Sequence, residues 1–183
     1  MAAARFSIGK KFNTYASLEE ELTMFQKENF VNLRKTDGHK IETKKANGKC
    51  LNLNDDLIYC DIKFICKHYG DIRTNKTKTG QRSTKSAKIN CPFHIKSICK
   101  DGQNLECTKF VSEHNHIVTE EAFKYDFTQR KLNTGDRNEI EKLLDHGANR
   151  KLIASSYAKK TGKRVILKDI HNLANSTKKS DFR

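Results

Sequence analysis

The first regular pattern of apolar positions lies in SLEEELTMFQKENF, where apolar residues recur at the three- and four-residue spacing of a helix. These positions are Leu18, Leu22 and Phe25. Ser17 and Glu20 match a capping box, in which a hydroxyl and a carboxylate each accept from a free backbone N–H at a helix start. The segment predicts a helix over about residues 18–28 that packs its apolar stripe on a core.

After this helix the chain changes to short β-rich runs separated by turn signals. FVNLRKTDGHKIETKK predicts two strands around the Asp37-Gly38 pair, and LIYCDIKFICKHYG predicts one long strand from Leu57 to Tyr69. One face of that strand would carry Cys60, Ile62, Phe64 and Cys66. A second Asp-Gly pair, at 101–102, predicts a hairpin with strands near 92–99 and 105–111. Together these runs predict about five antiparallel strands.

Helical spacing of apolar residues returns from Thr134 onward. NEIEKLLDHG, NRKLIASSYAKKTGK and LKDIHNLANS each predict a helix, with Gly147 and Gly162 as stop signals after the first two. The apolar positions of the three helices are Ile140, Leu143, Leu144, Leu152, Ile153, Tyr157, Leu167, Ile170 and Leu173.

These patterns divide the chain into three parts. Residues 12–118 form an α+β domain with an N-terminal helix, 119–133 a linker, and 134–177 a helical segment with a helix-turn-helix outline. In that outline the residues facing DNA would be Lys168, His171 and Asn172. The alternatives are that these helices pack on the sheet, lead into a further domain or bind a protein partner.

Composition narrows the class of protein. A hydrophobic content of 36 % and a mean hydropathy of −0.79 are too polar for one large core. No run approaches the ~18 apolar residues of a membrane helix, and MAAARFSIGKKF lacks the apolar region of a secretory signal. We therefore expect an intracellular protein with no membrane partner and no small-molecule substrate. Six cysteines in that reducing environment favour metal binding over disulfides.

The net charge of +14 predicts a polyanionic partner. Residues 57–100 carry ten basic and two acidic side chains, and residues 149–183 carry the same numbers. One acid-free stretch contains Arg73, Lys76, Lys78, Arg82, Lys85 and Lys88. Neutralising phosphates would release counterions, so this stretch is a candidate phosphate-binding loop. A solvated, disordered loop is the alternative, and the two are compatible because such loops often order on nucleic acid.

The segment FVSEHNH places His114 and His116 one residue apart. In an extended strand both imidazoles would lie on the same side, because side chains alternate with a period of two. A tetrahedral structural zinc site needs four ligands, usually Cys and His. The two histidines therefore require two well-placed cysteines.

Cys66 and Cys91 are the cysteines that fit this requirement. Cys66 ends a predicted strand and Cys91 begins another, and ends of neighbouring antiparallel strands can converge at one edge of a sheet. Cys60, Cys99 and Cys107 would instead point into the body of the sheet as small hydrophobes. The candidate ligands are Cys66, Cys91, His114 and His116. Spacing alone leaves open that the four are unconnected.

The runs FICKHYGDIR, NCPFHIKSI and LECTKFVSEHNH resemble the zinc-binding domain shared by WRKY, GCM, FLYWCH and FAR-type proteins and by Mutator-like transposases. The sequence is more similar to the N-terminal domain of SWIM-type zinc-finger (ZSWIM) proteins, from SLEEELTMFQKENF to KDIHNL. The resemblance implies a WRKY/GCM-like antiparallel sheet closed by a structural Zn²⁺. It also implies a nuclear protein that places one strand in the major groove of double-stranded DNA.

The implied DNA-contacting strand precedes the strand that bears Cys66 and corresponds to FVNLRK. Arg34 and Lys35 are therefore candidate base or phosphate contacts, and Lys67 joins the candidate nucleic-acid-binding residues. The WRKYGQK heptad is absent, so the resemblance implies no target sequence.

We expect no enzymatic activity. A literal H-N-H tripeptide is not the HNH nuclease motif, whose residues are spread over a longer ββα unit. A transposase needs well-separated acidic residues that bind two metals, and only 67 mostly helical residues follow His116. The SWIM motif is also absent. The sequence thus predicts a DNA-binding module without a catalytic domain, either a piece of a longer protein or a transposase remnant, with a protein-interaction adaptor as the alternative. An RNA binder is disfavoured by the shortage of exposed aromatic residues for stacking.

Overall fold

A computed structural model describes residues 5–47, 53–71 and 87–180. The chain divides into two compact units after Val118. The first unit is an α+β domain, and the second is helical throughout its described residues. Within the described ranges, no helix is long and apolar enough to span a bilayer.

The first unit is built on one antiparallel sheet of five strands, as predicted. In chain order the strands are β1 (Lys11–Phe12), β2 (Leu33–Lys40), β3 (Tyr59–Cys66), β4 (His94–Cys99) and β5 (Leu105–Val111). Their order across the sheet is β1-β5-β4-β3-β2. The strand predicted to contact DNA, β2, is therefore an edge strand with one side unpaired.

The core of this unit lies between one face of the sheet and helix α1 (Tyr15–Asn29). Cys60, Ile62, Phe64 and Cys66 of β3 are all buried, which agrees with the face predicted from their alternation. Leu18, Leu22 and Phe25 of α1 belong to the same core. Phe6, which precedes the predicted start of the domain, is also fully buried there.

The start of α1 differs from the prediction. Thr14, not Ser17, is the N-cap, and its hydroxyl oxygen accepts from the Ser17 backbone N–H at 3.1 Å. The predicted capping box of Ser17 and Glu20 is therefore wrong. Tyr15 is buried and extends the apolar stripe one turn towards the N-terminus, which explains the earlier start.

The Asp37-Gly38 pair does not form the predicted hairpin. Strand β2 runs through it and stays paired with β3, with a bulge between Lys35 and Gly38. A Cβ atom on Gly38 would lie 3.3 Å from Cδ1 of Tyr59, so this glycine permits close approach. The residues expected to form the return strand are helix α2 (Ile41–Ala46). By contrast, residues 101–102 do connect β4 and β5, and Gly102 has φ +78°.

The second unit contains five helices in its described residues. They are α3 (Glu120–Tyr125), α4 (Phe127–Arg130), α5 (Thr134–Asp145), α6 (Arg150–Thr161) and α7 (Leu167–Ser180). The first two occupy the segment predicted as a linker. The last three match the predicted helices and share a core that includes Ile140, Ile153, Tyr157, Ile170 and Leu173. Leu143 and Leu152 were expected in the apolar stripes but are 44 % and 69 % exposed.

Candidate metal centre

Cys66 lies where β3 ends and the chain turns sharply. The Tyr69 backbone N–H donates to the Cys66 carbonyl at 2.9 Å and closes the turn. The His68 backbone N–H lies 3.4 Å from Cys66 Sγ, where it can donate to the sulfur. This contact favours the thiolate form and fixes the sulfur at the end of the sheet.

Cys91 is attached to that same turn by backbone hydrogen bonds. The Cys91 and Ile89 N–H groups donate to the His68 carbonyl at 3.1 and 3.0 Å. Asn90, between them, has the left-handed φ of +57°, which bends the chain so that both donors meet one acceptor. These contacts to residues 66–70 hold Cys91 close to Cys66.

The histidine pair follows β5 in a segment that is not a strand. The chain bends at residues 115–116, and the rings of His114 and His116 are 4.9 Å apart at 73°. The expectation of an extended, alternating segment is therefore wrong, although both rings reach the same site. Asn115 ties this segment to the Cys91 segment, because its side-chain amide donates to the carbonyls of Ile89 at 2.9 Å and Asn90 at 3.3 Å.

The four candidate ligands form one cluster whose ligand atoms all lie within 4.8 Å of one another. Cys66 Sγ is 3.3 Å from His116 Nε2, Cys91 Sγ is 3.3 Å from His114 Nδ1, and the two nitrogens are 3.2 Å apart. Zinc bonds of about 2.0–2.3 Å in a tetrahedron require separations of about 3.3–3.8 Å between ligand atoms. The three separations in the cluster lie at the short end of that range, so the cluster could hold a small tetrahedral cation that binds nitrogen and sulfur.

The protonation states suit metal binding at neutral pH. Burial, followed by the charges of His116 and His68, lowers the pKa of His114 to about 4, and burial also lowers the pKa of His116. Both imidazoles are therefore neutral, with a lone pair to donate. Burial and the nearby Cys91 raise the pKa of the Cys66 thiol to about 11, so a bound cation must displace the proton from this sulfur.

The second nitrogen of each histidine has a different environment. His116 Nδ1 lies 3.2 Å from the carbonyl of Ile117, where an N–H can donate and leave Nε2 to face the cluster. The His114 ring stacks on Phe93, with centroids 4.5 Å apart and planes at 12°. Its Nε2 is buried and has no hydrogen-bond partner within the described residues. His114 is thus oriented by ring packing and His116 by a hydrogen bond.

Two residues at this site were missed in the sequence. Asn115 was treated as a spacer, although its position between two candidate ligands made it a candidate for holding their segment in place by a side-chain hydrogen bond. His68 follows the first cysteine by two residues; its ring lies 4.4 Å from that of His116, and its Nδ1 is 2.5 Å from the Ala87 carbonyl. His68 therefore connects the turn after Cys66 with the segment that leads to Cys91.

The remaining cysteines do not join the cluster. Cys60 and Cys107 are buried in the core and Cys99 is partly buried, as small hydrophobes would be. Cys50 lies outside the described residues. In the described ranges, no second group of three or more Cys, His, Asp or Glu residues is placed to hold a metal.

Only some of the candidate nucleic-acid-binding residues lie within the described ranges. Arg34 is exposed on the edge strand β2. Lys35 beside it is held by Tyr59, since its ammonium donates to the hydroxyl at 2.6 Å. Lys67 and Lys88 lie close in sequence to Cys66 and Cys91. Arg73, Lys76, Lys78, Arg82 and Lys85 lie outside the described residues.

The fold and the cluster together define an α+β domain with a candidate Cys₂His₂ metal centre at one end of its sheet. A family model described as zinc finger SWIM domain-containing protein 3, N-terminal, matches residues 6–116, more than half of the chain. The chain therefore belongs to this family, as its resemblance to ZSWIM N-terminal domains indicated. Neither a curated protein nor a solved structure matches the chain.

Proposed function

We propose that this protein is a zinc-dependent module that binds double-stranded DNA in the nucleus. The observation that carries the zinc assignment is the convergence of four soft and borderline ligand atoms within 4.8 Å. Two thiols and two imidazoles suit Zn²⁺, whereas Mg²⁺ and Ca²⁺ prefer oxygen ligands. The name of the matched family supports the same metal.

The zinc would be structural rather than catalytic. Cys66, Cys91, His114 and His116 would fill all four tetrahedral positions, which leaves none for a water or a substrate. When bound, zinc would supply bonds that tie together three segments distant in sequence. The His68 N–H and the Asn115 amide would hold two of these segments in place around it. On this basis we propose a binding module without enzymatic activity.

Charge and exposure support DNA as the partner. The chain has a net charge of +14, and the edge strand β2 presents an exposed Arg34 that has no ion pair or hydrogen-bonded side-chain partner among the described residues. An arginine can bind a guanine edge bidentately or contact a phosphate. Lys35, Lys67, Lys88 and the basic stretch from Arg73 to Lys85 would add phosphate contacts. We further propose descent from a Mutator-like transposase.

One experiment tests both halves of this proposal. Elemental analysis of the purified full chain should give about one zinc per chain, as one Cys₂His₂ site requires. Fluorescence anisotropy with a mixed-sequence duplex should show binding that a strong chelator abolishes and added zinc restores. Zinc-free protein that binds DNA equally well would contradict the zinc dependence. Zinc-loaded protein that does not bind duplex DNA would contradict the DNA-binding function.

A protein-interaction role for the second unit is the other candidate. Phe127, Leu143 and Leu152 are 66 %, 44 % and 69 % exposed, so these large apolar side chains would be available to a protein partner. Deleting residues 119–183 separates the two roles. Unchanged DNA affinity would support the protein-interaction role of the helices. Loss of most of the affinity would assign DNA binding to the helices and contradict that role.

A further inference from the structure

Three lysines stand side by side on the outer face of the sheet, opposite the core. Lys63 in β3 is the register partner of Lys96 in β4, and Lys96 is the partner of Lys109 in β5. Their neighbours along the strands face the core and include Ile62, Phe64, Ile95 and Phe110. Since side chains alternate along a strand, the three lysines share the other face. We name them the lysine row.

The charge of the lysine row is not neutralised by described residues. Within the described ranges, the ammonium groups of Lys96 and Lys109 have no ion pair or hydrogen bond. Lys63 donates to the Tyr69 hydroxyl at 3.1 Å and lies 4.7 Å from the centroid of that ring, so its partner is neutral. Three positive charges therefore remain on adjacent strands.

The acidic residues of the neighbouring register row are already engaged. Asp61 and Glu106 lie in that row, each paired in register with Ile98. Asp61 Oδ2 is 2.7 Å from His39 Nδ1, and Glu106 Oε1 is 3.2 Å from Lys100 Nζ. These carboxylates have cationic or potentially cationic partners of their own, so the lysine row remains a site of concentrated positive charge.

Such a row is unfavourable for folding by itself. Residues directly opposite in an antiparallel pair have Cβ atoms about 4.5–5.5 Å apart, and like charges there destabilise the sheet. The arrangement becomes favourable when an anion bridges the ammonium groups. We propose that the lysine row binds the phosphate backbone of duplex DNA. This inference rests on the DNA-binding function proposed above and assigns part of it to three central-strand residues.

The dimensions and surroundings of the row suit a duplex. Two inter-strand spacings of about 4.8 Å make the row about 10 Å long, and over that length of helix axis one DNA strand carries about three phosphates, at about 3.4 Å each. Arg34 and His94 are each paired in register with Ile65 in the adjacent row on the same face. Basic side chains therefore continue from the central strands to the exposed edge strand, where Arg34 could reach a base edge or a further phosphate.

The test compares two triple variants of the full chain that lose the same charge. One is Lys63→Gln, Lys96→Gln and Lys109→Gln; the control is Lys27→Gln, Lys44→Gln and Lys45→Gln, on α1 and α2. Anisotropy is measured on a mixed-sequence duplex of about 20 base pairs, two helical turns. The salt range is about 0.05–0.2 M, where phosphate contacts change affinity steeply.

Loss of the lysine row should make the plot of log affinity against log salt shallower by about three, one unit per phosphate contact. The control should change the slope by less than about one. The row variant should keep its zinc and melt no lower than the parent, because it loses repulsion. Equal slopes for both variants, in a parent that binds DNA, overturn the inference and leave the proposed function standing. A parent that binds single-stranded RNA but no duplex DNA overturns both.

Discussion

The contacts that stabilise each unit internally differ in how far apart the contacting residues lie in sequence. In the first unit, residues 66, 91 and 114–116 converge at one end of the sheet. In the second, the three main helices are consecutive in sequence and pack around one small core. Two of these helices also begin on local caps: Asn133 accepts from the Asp136 N–H at 2.7 Å, and Asn149 from the Lys151 N–H at 2.9 Å.

This difference leads us to expect that a metal would stabilise the first unit more than the second. Closing loops of tens of residues costs chain entropy before any contact is gained, whereas consecutive helices with capped ends require little closure. Structural zinc sites offset such a cost with apparent binding free energies of roughly 10–16 kcal/mol, as large as the stability of a typical domain. We therefore expect the first unit to depend on its metal and the second to be independent of it.

Removing the metal should have the largest effect. A strong chelator is expected to unfold the metal end of the sheet while α5, α6 and α7 stay folded, because the second unit contributes no ligand to the cluster. Hydrogen exchange on the full chain would show lost protection in β3, β4 and β5 and retained protection in the helices. Added zinc should restore the sheet. Undiminished protection in β4 after chelation would contradict a metal-dependent first unit.

Removing one ligand should have the next largest effect, and β3 offers a matched control. Cys66 and Cys60 are both buried on the core face of this strand, but only Cys66 belongs to the cluster. Cys66→Ser should weaken zinc binding well beyond the roughly 10–100-fold cost of losing an outer-shell partner. Cys60→Ser should keep one zinc and lose only about 1–2 kcal/mol from a buried polar change. Competitive chelator titration measures the zinc affinity of both variants, and equal affinities would exclude Cys66 as a ligand.

A substitution in the second unit should leave the metal untouched. Ile170 is fully buried in the helical core, and Ile170→Ala should lower the free energy of unfolding of this unit by about 2–5 kcal/mol. Leu152→Ala, at a 69 % exposed position of the same unit, should change it by less than about 0.5 kcal/mol. Denaturant unfolding, monitored by hydrogen exchange, reports the free energy of unfolding of each unit separately. A fall in zinc affinity on Ile170→Ala would show that the units are coupled.

The parts of the structure that local patterns determine were predictable from the sequence. Helical spacing located α1 and the three main helices of the second unit, and the Asp101-Gly102 signal located the β4–β5 hairpin. The structure also brings together the four candidate ligands, because their sequence positions at strand ends reflect a real edge of the sheet.

The parts that depend on tertiary pairing were not predictable. Asp37-Gly38 has the same turn signal as the true hairpin, but pairing with β3 on both sides of the bulge and the nearby ring of Tyr59 keep β2 extended. The lysine row exists only once the register of three strands is known, since its members are distant in sequence. Asn115 likewise acquires a role only because the Cys91 segment folds back beside it.

Asn115 also allows the finest test of the contrast between the units, because it lies between two of the candidate ligands without belonging to the cluster. Its amide joins the histidine segment to the carbonyls of Ile89 and Asn90, so Asn115→Ala should leave the ligands intact but less well positioned. We expect zinc affinity to fall about 10-fold, the lower end of the range for outer-shell partners. Glu113→Ala, at an exposed neighbouring position, is the control and should keep the parent affinity. If both variants bound zinc like the parent protein, backbone contacts at the Cys66 turn would suffice to assemble the site. The convergence of the three segments that carry the candidate ligands would then depend on fewer side chains than the structure indicates.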